Sequence, residues 1–151
     1  MSDTKRELII QAFLERAAAI TTANGYNTDM GLNTFRAISK IDPSRLPACV
    51  VYPLSETTER ICGGAYLCTM PLRAEAVAIT GITNPSVLAE KMLGDMRQAF
   101  MGASITALME EITYTSGGTN DYTKNDSVSV TANFTIKYLS LIHISEPTRP
   151  Y

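Results

Sequence analysis

The chain has 151 residues, of which 45% are hydrophobic and 19% charged, with a net charge of −2 at pH 7. That is too apolar for disorder, long enough for one domain with a core of its own, and too weakly charged to draw nucleic acid or an anionic membrane over a distance. No apolar run approaches the ~20 residues of a spanning helix. The opening MSDTKREL lacks the apolar core of a signal peptide, so an intracellular origin is expected. Cys49, Cys62 and Cys68 are odd in number and show neither CxxC nor metal-ligand spacing, which favours buried thiols over disulfides.

The first helix begins at Thr4. Thr4-Lys-Arg-Glu7 has capping-box spacing, with a hydroxyl for the third amide and a carboxylate able to reach back. Ile9, Ile10, Phe13, Leu14, Ala17 and Ile20 form a wide apolar stripe, while Glu7, Gln11 and Glu15 follow one another opposite it. The spacing predicts a helix that docks on a sheet and ends at Asn24-Gly25, with Gly25 suited to the left-handed position. Tyr26 to Ser39 mixes turn formers with Met30, Leu32 and Phe35 and reads as a short hairpin or an irregular ribbon. Lys40 to Leu46 is a loop, because Pro43 excludes regular structure there.

Pro47 to Ile79 is the stretch around which the rest is organised. A short apolar run (Ala48 to Leu54), a polar loop (Ser55 to Gly64) and a long second run (Ala65 to Ile79) predict a β-hairpin with an extended tip. Val50, Tyr52 and Leu54 alternate with Cys49, Val51 and Pro53, so both faces are apolar and the strand is covered. Pro53 cannot donate a ladder bond, and Pro71 marks a bulge or bend. In the second run Leu72, Ala74, Ala76 and Ala78 share one face, small enough for a helix to pack closely. Arg73 and Glu75 share the other with Val77 and Ile79, a face that is partly solvated or meets another subunit.

Gly81 to Pro85 turns into a second helix, with Asn84 as cap and Pro85 at the first helical position. Leu88, Met92, Met96, Ala99 and Phe100 make its apolar stripe, and Glu90, Gly94, Arg97 and Gln98 face away. Methionines at this spacing fill a core. Gly102 breaks the helix, and Ser104 to Glu110 reads as a further short one. The last third is a second hairpin: Ile112 to Thr115, a flexible polar loop from Ser116 to Asp126, then strict alternation from Val128 to Tyr138. The order helix, hairpin, helices, hairpin predicts an α+β domain with a small antiparallel or mixed β-sheet flanked by helices.

The final residues run LSLIHISEPTRPY, from Leu139 to Tyr151. Leu139 to Arg149 resembles the translation, in one frame, of a common transposon-based sequencing-library adaptor. The segment from Leu139 onward is therefore expected to be a non-native scar, the single domain to occupy residues 1 to 138, and the natural C-terminus to lie beyond Tyr138. His143, the only histidine, falls within that segment.

No phosphate loop, dinucleotide fingerprint or nucleophile elbow is present. Without a native histidine, Ser-His-Asp and Cys-His arrangements are ruled out, and metal ligation would rest on carboxylates and thiols. Asp29 and Asp42 sit in turns where capping is the usual role. Glu56, Glu59 and Arg60 read as a solvated face. Tyr114 and Tyr122 lack the basic surroundings that base stacking needs. Asn125-Asp-Ser127 and Asn133-Phe-Thr135 match glycosylation sequons, which matter only in a secreted chain. These readings predict no catalytic residues, no cofactor, no metal and no specific nucleic-acid or membrane binding.

Five stretches, in this order, carry a family resemblance: RELIIQAFLER, GYNTDMG, LPACVVYPLSETTE leading into a long strand, AEKMLGDMRQAF and the closing SVSVTANFTIKY. Over about residues 5 to 138 the chain resembles the phage tail terminators, the tail-completion or minor tail protein U type of long-tailed phages. The resemblance lies in order, length and loose motifs, without a catalytic signature. It implies a virion structural protein that forms a hexameric ring on the head-proximal end of the tail tube, assembled in the bacterial host cytoplasm. Such a ring stops tube growth and offers the surface for joining the head, so its partners are copies of itself, the tail tube protein and a head-completion or connector protein. The candidate interface residues are Glu56, Glu59, Arg60, Asp121 and Lys124 as a charged rim on the two loops, with Arg73, Glu75, Tyr114 and Tyr122. Two other readings stay open: another neck or tail-tube component, which shares a small α+β fold, and a cellular small-molecule-binding domain with a lined pocket.

Overall fold

A computed structural model of the chain describes residues 4–38, 40–81, 84–101, 109–121 and 127–141. Two helices pack on one face of a mixed six-stranded sheet, so the domain is α+β. In chain order the elements are α1 (Lys5–Ala18), β1 (Thr34–Arg36), β2 (Ala48–Pro53), β3 (Thr57–Arg60), β4 (Ala65–Ile79), α2 (Pro85–Phe100), β5 (Glu111–Asp121) and β6 (Ser127–Leu141). The sheet runs β1-β2-β4-β6-β5, with β3 also on β4. β1 pairs parallel to β2, and every other pairing is antiparallel.

Thr4 caps α1 as its spacing predicts, its Oγ1 accepting from the Glu7 amide at 3.1 Å. The Glu7 carboxylate is held in a two-pronged bond by Arg36 (2.6 and 2.7 Å), which ties the helix to β1. The helix closes at Ala18 rather than at Asn24-Gly25. Thr22–Asn24 forms a separate tight turn, and Gly25, at φ +90°, ends that turn instead. The ribbon after it is not a hairpin. Its turn at Met30–Leu32 wedges under the end of α1, where the Gly31 amide donates to the Ile20 carbonyl at 2.8 Å. It then leads into β1.

The predicted hairpin is present, but its polar arm is not a loop. β3 pairs residue for residue with Tyr66–Thr69 of β4, and a tight turn at Cys62–Gly64 joins the two. β2 and β3 thus lie end to end along one edge of β4. The break between them falls opposite Pro71, whose ring removes a donor. The Leu54 amide still donates to the Pro71 carbonyl at 3.1 Å, while the Leu54 carbonyl, which a residue other than proline would have served, accepts from Arg6 Nη2 at 2.6 Å. On its other side β4 passes Pro71 without a change of register against β6.

The second predicted loop is also mostly strand. β5 extends to Asp121, with register shifts at Tyr114/Ser116 and Thr119/Asp121. Propensity misleads here because a Ser-Gly-Gly-Thr-Asn run reads as loop, whereas pairing with the strongly alternating β6 supplies the strand. Tyr122 and Lys124 lie outside the described residues, as do Ser104 to Leu108 of the predicted short helix. β6 continues past Tyr138, with Leu139, Ser140 and Leu141 opposite Leu67, Tyr66 and Ala65. Backbone ladders are indifferent to side-chain identity, so the adaptor-like residues pair as readily as any others.

The core lies between the sheet and the helices. Phe13 of α1, Phe100 of α2 and Phe134 of β6 meet with ring centroids 5.4 to 6.5 Å apart, and all three are buried. Burying each contributes roughly 1.5–3 kcal/mol. Ala74, Ala76 and Ala132 face the helices fully buried, the small residues that let them approach. Among the described residues no helix is long and apolar enough to cross a membrane.

Candidate functional site

Because both helices cover one face, the other face of the sheet is left to the side chains of alternate residues. Along β4 these are Arg73, Glu75, Val77 and Ile79; beside them on β6 stand Asn133, Thr131, Ser129 and Ser127, and on β2 Tyr52, Val50 and Ala48. Arg73 Nε faces Glu75 Oε2 at 3.2 Å, an ion pair without hydrogen-bond geometry, and the guanidinium lies 4.6 Å from the centre of the Tyr52 ring. The Tyr52 hydroxyl donates to the Ile38 carbonyl at 2.6 Å. Burial raises the pKa of this tyrosine, the Glu75 charge adds to the rise, and the Arg73 charge opposes it.

This outer face has two sectors. Toward β5 it is polar: a shallow depression of about 540 Å³ runs from Arg73 and Glu75 across Thr131 and Asn133 to Gly117 and Asn120. Its polar groups largely satisfy one another. Thr131 Oγ1 donates to Asn120 Oδ1 at 2.9 Å, and Asn133 Nδ2 donates to Ser116 Oγ at 3.0 Å. Toward β2 it is apolar. Ala48 and Val50 point away from the helices yet are buried, and Ile38 with residues of segment 40–46 stands on the same side of the sheet. Between that segment and the sheet runs a groove of about 590 Å³.

The sequence-predicted interface residues do not form one cluster. Glu59 and Arg60 are exposed on β3, at the end of the sheet where β4 begins. Asp121 ends β5 opposite Ser129, at the other end. Arg73 and Glu75 lie between the two. Tyr114 lies on β5, in the stretch expected to be strand. It packs on the helix-side face against Phe134, with ring centroids 5.5 Å apart, and under Arg97 at 4.7 Å. Glu56 is not a free rim charge either: it accepts from Arg6 Nη1 at 3.0 Å and from the Tyr138 hydroxyl at 2.6 Å. Lys5 Nζ adds a bond to the Leu139 carbonyl at 3.0 Å, so the start of α1 is fastened to the β2–β3 break and to β6.

Sequence reasoning passed over Asp95. It is buried within the apolar face of α2 and accepts from the Asn27 amide (3.1 Å), the Thr28 amide (2.8 Å) and the Thr28 hydroxyl (2.6 Å). The signal was present: Asp95 stands three residues after Met92 and four before Ala99, inside the stripe. Asp42 caps its own turn, accepting from the Ser44 amide (3.0 Å), whereas Asp29 makes no side-chain bond to the turn it precedes and accepts instead from the amide (2.8 Å) and hydroxyl (3.0 Å) of Thr22. Cys49 and Cys68 are buried thiols outside any disulfide, and burial pushes Cys49 up to about 12. Among the described residues no group of three or more His, Cys, Asp or Glu is placed to hold a metal ion.

A scan of protein-family models finds no match to this chain, and a search of curated proteins finds none either.

Proposed function

We propose that the chain is a virion structural protein of the phage tail terminator type, a non-enzymatic ring subunit that caps the head-proximal end of the tail tube and presents the head-joining surface. The reading starts from the ordered sequence resemblance. One structural observation supports it most: the two polar tips stand at opposite ends of one long strand. The Cys62–Gly64 turn leads into Ala65, whereas Asp121 lies beside Ser129, which pairs with Val77. At about 3.3 Å per residue, Ala65 and Val77 are roughly 40 Å apart. A subunit that joins a tube below to a head above needs two such separate contact ends, with its flanks free to meet neighbours.

In this reading Glu59 and Arg60 contact one axial partner and the Asp121 end the other, while Arg73 and Glu75 serve contacts between copies in a heterologous ring that closes by rotation. Assembly takes place in the cytoplasm of the bacterial host, and the finished protein resides in the virion tail. The test is electron microscopy of particles made by a phage that carries the Glu59→Ala, Arg60→Ala double substitution. Overlong or headless tails are expected; tails of normal length joined to heads would overturn the assignment of that end. Light scattering of the wild-type chain separates the other neck and tube readings. A discrete ring of roughly six copies fits a terminator, and open-ended stacks that lengthen with concentration fit a tube subunit.

A further inference from the structure

The groove beside segment 40–46 is absent from the terminator reading and does not depend on it. Its floor is an apolar sector on a face that is otherwise polar. Val77 lies across from the buried Ala48, with Ile79 next on the same face of β4; Val77 is half-buried and Ile79 remains 54% exposed. The opposite wall is Ile38, Ile41 and Leu46. The Ile38 end of that wall is tied to the sheet: the Ala37 amide donates to the Val51 carbonyl at 2.9 Å, and the Tyr52 hydroxyl donates to the Ile38 carbonyl. The opening's volume of about 590 Å³ falls in the range of roughly 300–1,000 Å³ typical of small-molecule sites.

Among the described residues two ionisable side chains besides Tyr52 line it, Glu75 and Lys40. Glu75 already faces Arg73. Lys40 has no ion pair among the described residues, so the unbalanced charge at the groove is positive. We propose that the groove binds a small amphipathic carboxylate, with its apolar body against Val77, Ile79 and Ile41 and its anionic end at Lys40. Burial of an apolar chain supplies the affinity and the ammonium sets the orientation.

The test is a titration of the full chain with sodium octanoate below its micellar concentration, read from amide shifts in two-dimensional NMR, with acetate and 1-octanol in parallel. Octanoate is expected to give saturable shifts at Ile38, Ile41, Val77 and Ile79, and acetate none. Lys40→Ala should weaken octanoate about fivefold, the scale of one exposed charge pair, and leave 1-octanol unchanged. Ile79→Glu, at an exposed position that folding tolerates, should abolish octanoate binding through charge and lost apolar contact. Absence of saturable shifts, shifts confined to the helix-side core, or an unchanged octanoate affinity in Lys40→Ala would each overturn the proposal.

Discussion

Thr28 and Asp95, 67 positions apart in the chain, are joined by a hydrogen bond of 2.6 Å from the Thr28 hydroxyl to Asp95 Oδ2, and both side chains are buried. With the amides of Asn27 and Thr28 also donating to the same carboxylate, α2 holds the ribbon that connects α1 to β1. The acid replaces three partners that a buried turn would otherwise lack.

Asp95→Ala should therefore strand those donors and leave a cavity. A loss of about 3 kcal/mol is expected, measured by urea unfolding, with Asp95→Asn recovering only part of it because the amide offers one acceptor atom. A loss below about 1 kcal/mol would mean that water serves the ribbon equally well.

Gly31 gives a sharper outcome. A Cβ built there would lie 2.5 Å from the Ala17 carbonyl oxygen and 2.7 Å from those of Ala18 and Ile20, all backbone atoms that cannot swing aside. Gly31→Ala should lower the melting temperature by about 10 °C or more, whereas Gly94→Ala, with open space around it, should leave it unchanged or raise it slightly.

The Glu7–Arg36 pair sets a pH dependence. Its two bonds hold the Glu7 carboxyl below its usual 4.5, with burial opposing the shift. A depressed folded-state value contributes stability above the unfolded value of 4.5 that is lost as pH falls through the folded value. The side chains are 29% and 40% exposed, so solvent screening keeps the contribution within about 1 kcal/mol. Compared by denaturant unfolding, wild type and Glu7→Gln should differ at pH 7 and converge toward pH 3. A gap that stays constant across that range would assign the bond no ionic part.

How much was legible in advance follows from the range of each signal. The Thr4 cap, the α2 start at Asn84-Pro85, the alternation of β6 and the alanine row on β4 depend on neighbours a few residues away, and the sequence states them outright. The expected loop at 55–64, and the one at 116–126 as far as Asp121, were misread for one reason: polar, glycine-containing runs have weak strand propensity, and only a long partner strand at the right register makes them pair. The partners of Glu56 and Tyr114 were not legible either, since Arg6, Tyr138, Phe134 and Arg97 are distant in the chain.

The sequence by itself determined the α+β class, the two main helices, the central strand and the helix-facing rows of the core, because periodicity and caps are local properties of the chain. Tertiary structure alone decided that both helices share one face, that β2 and β3 lie end to end on β4, that Arg6 answers the carbonyl left by Pro71, and that segment 40–46 lines a groove on the far face. Each of these joins residues distant in the chain, through hydrogen bonds and contacts that exist only once the sheet has brought them together.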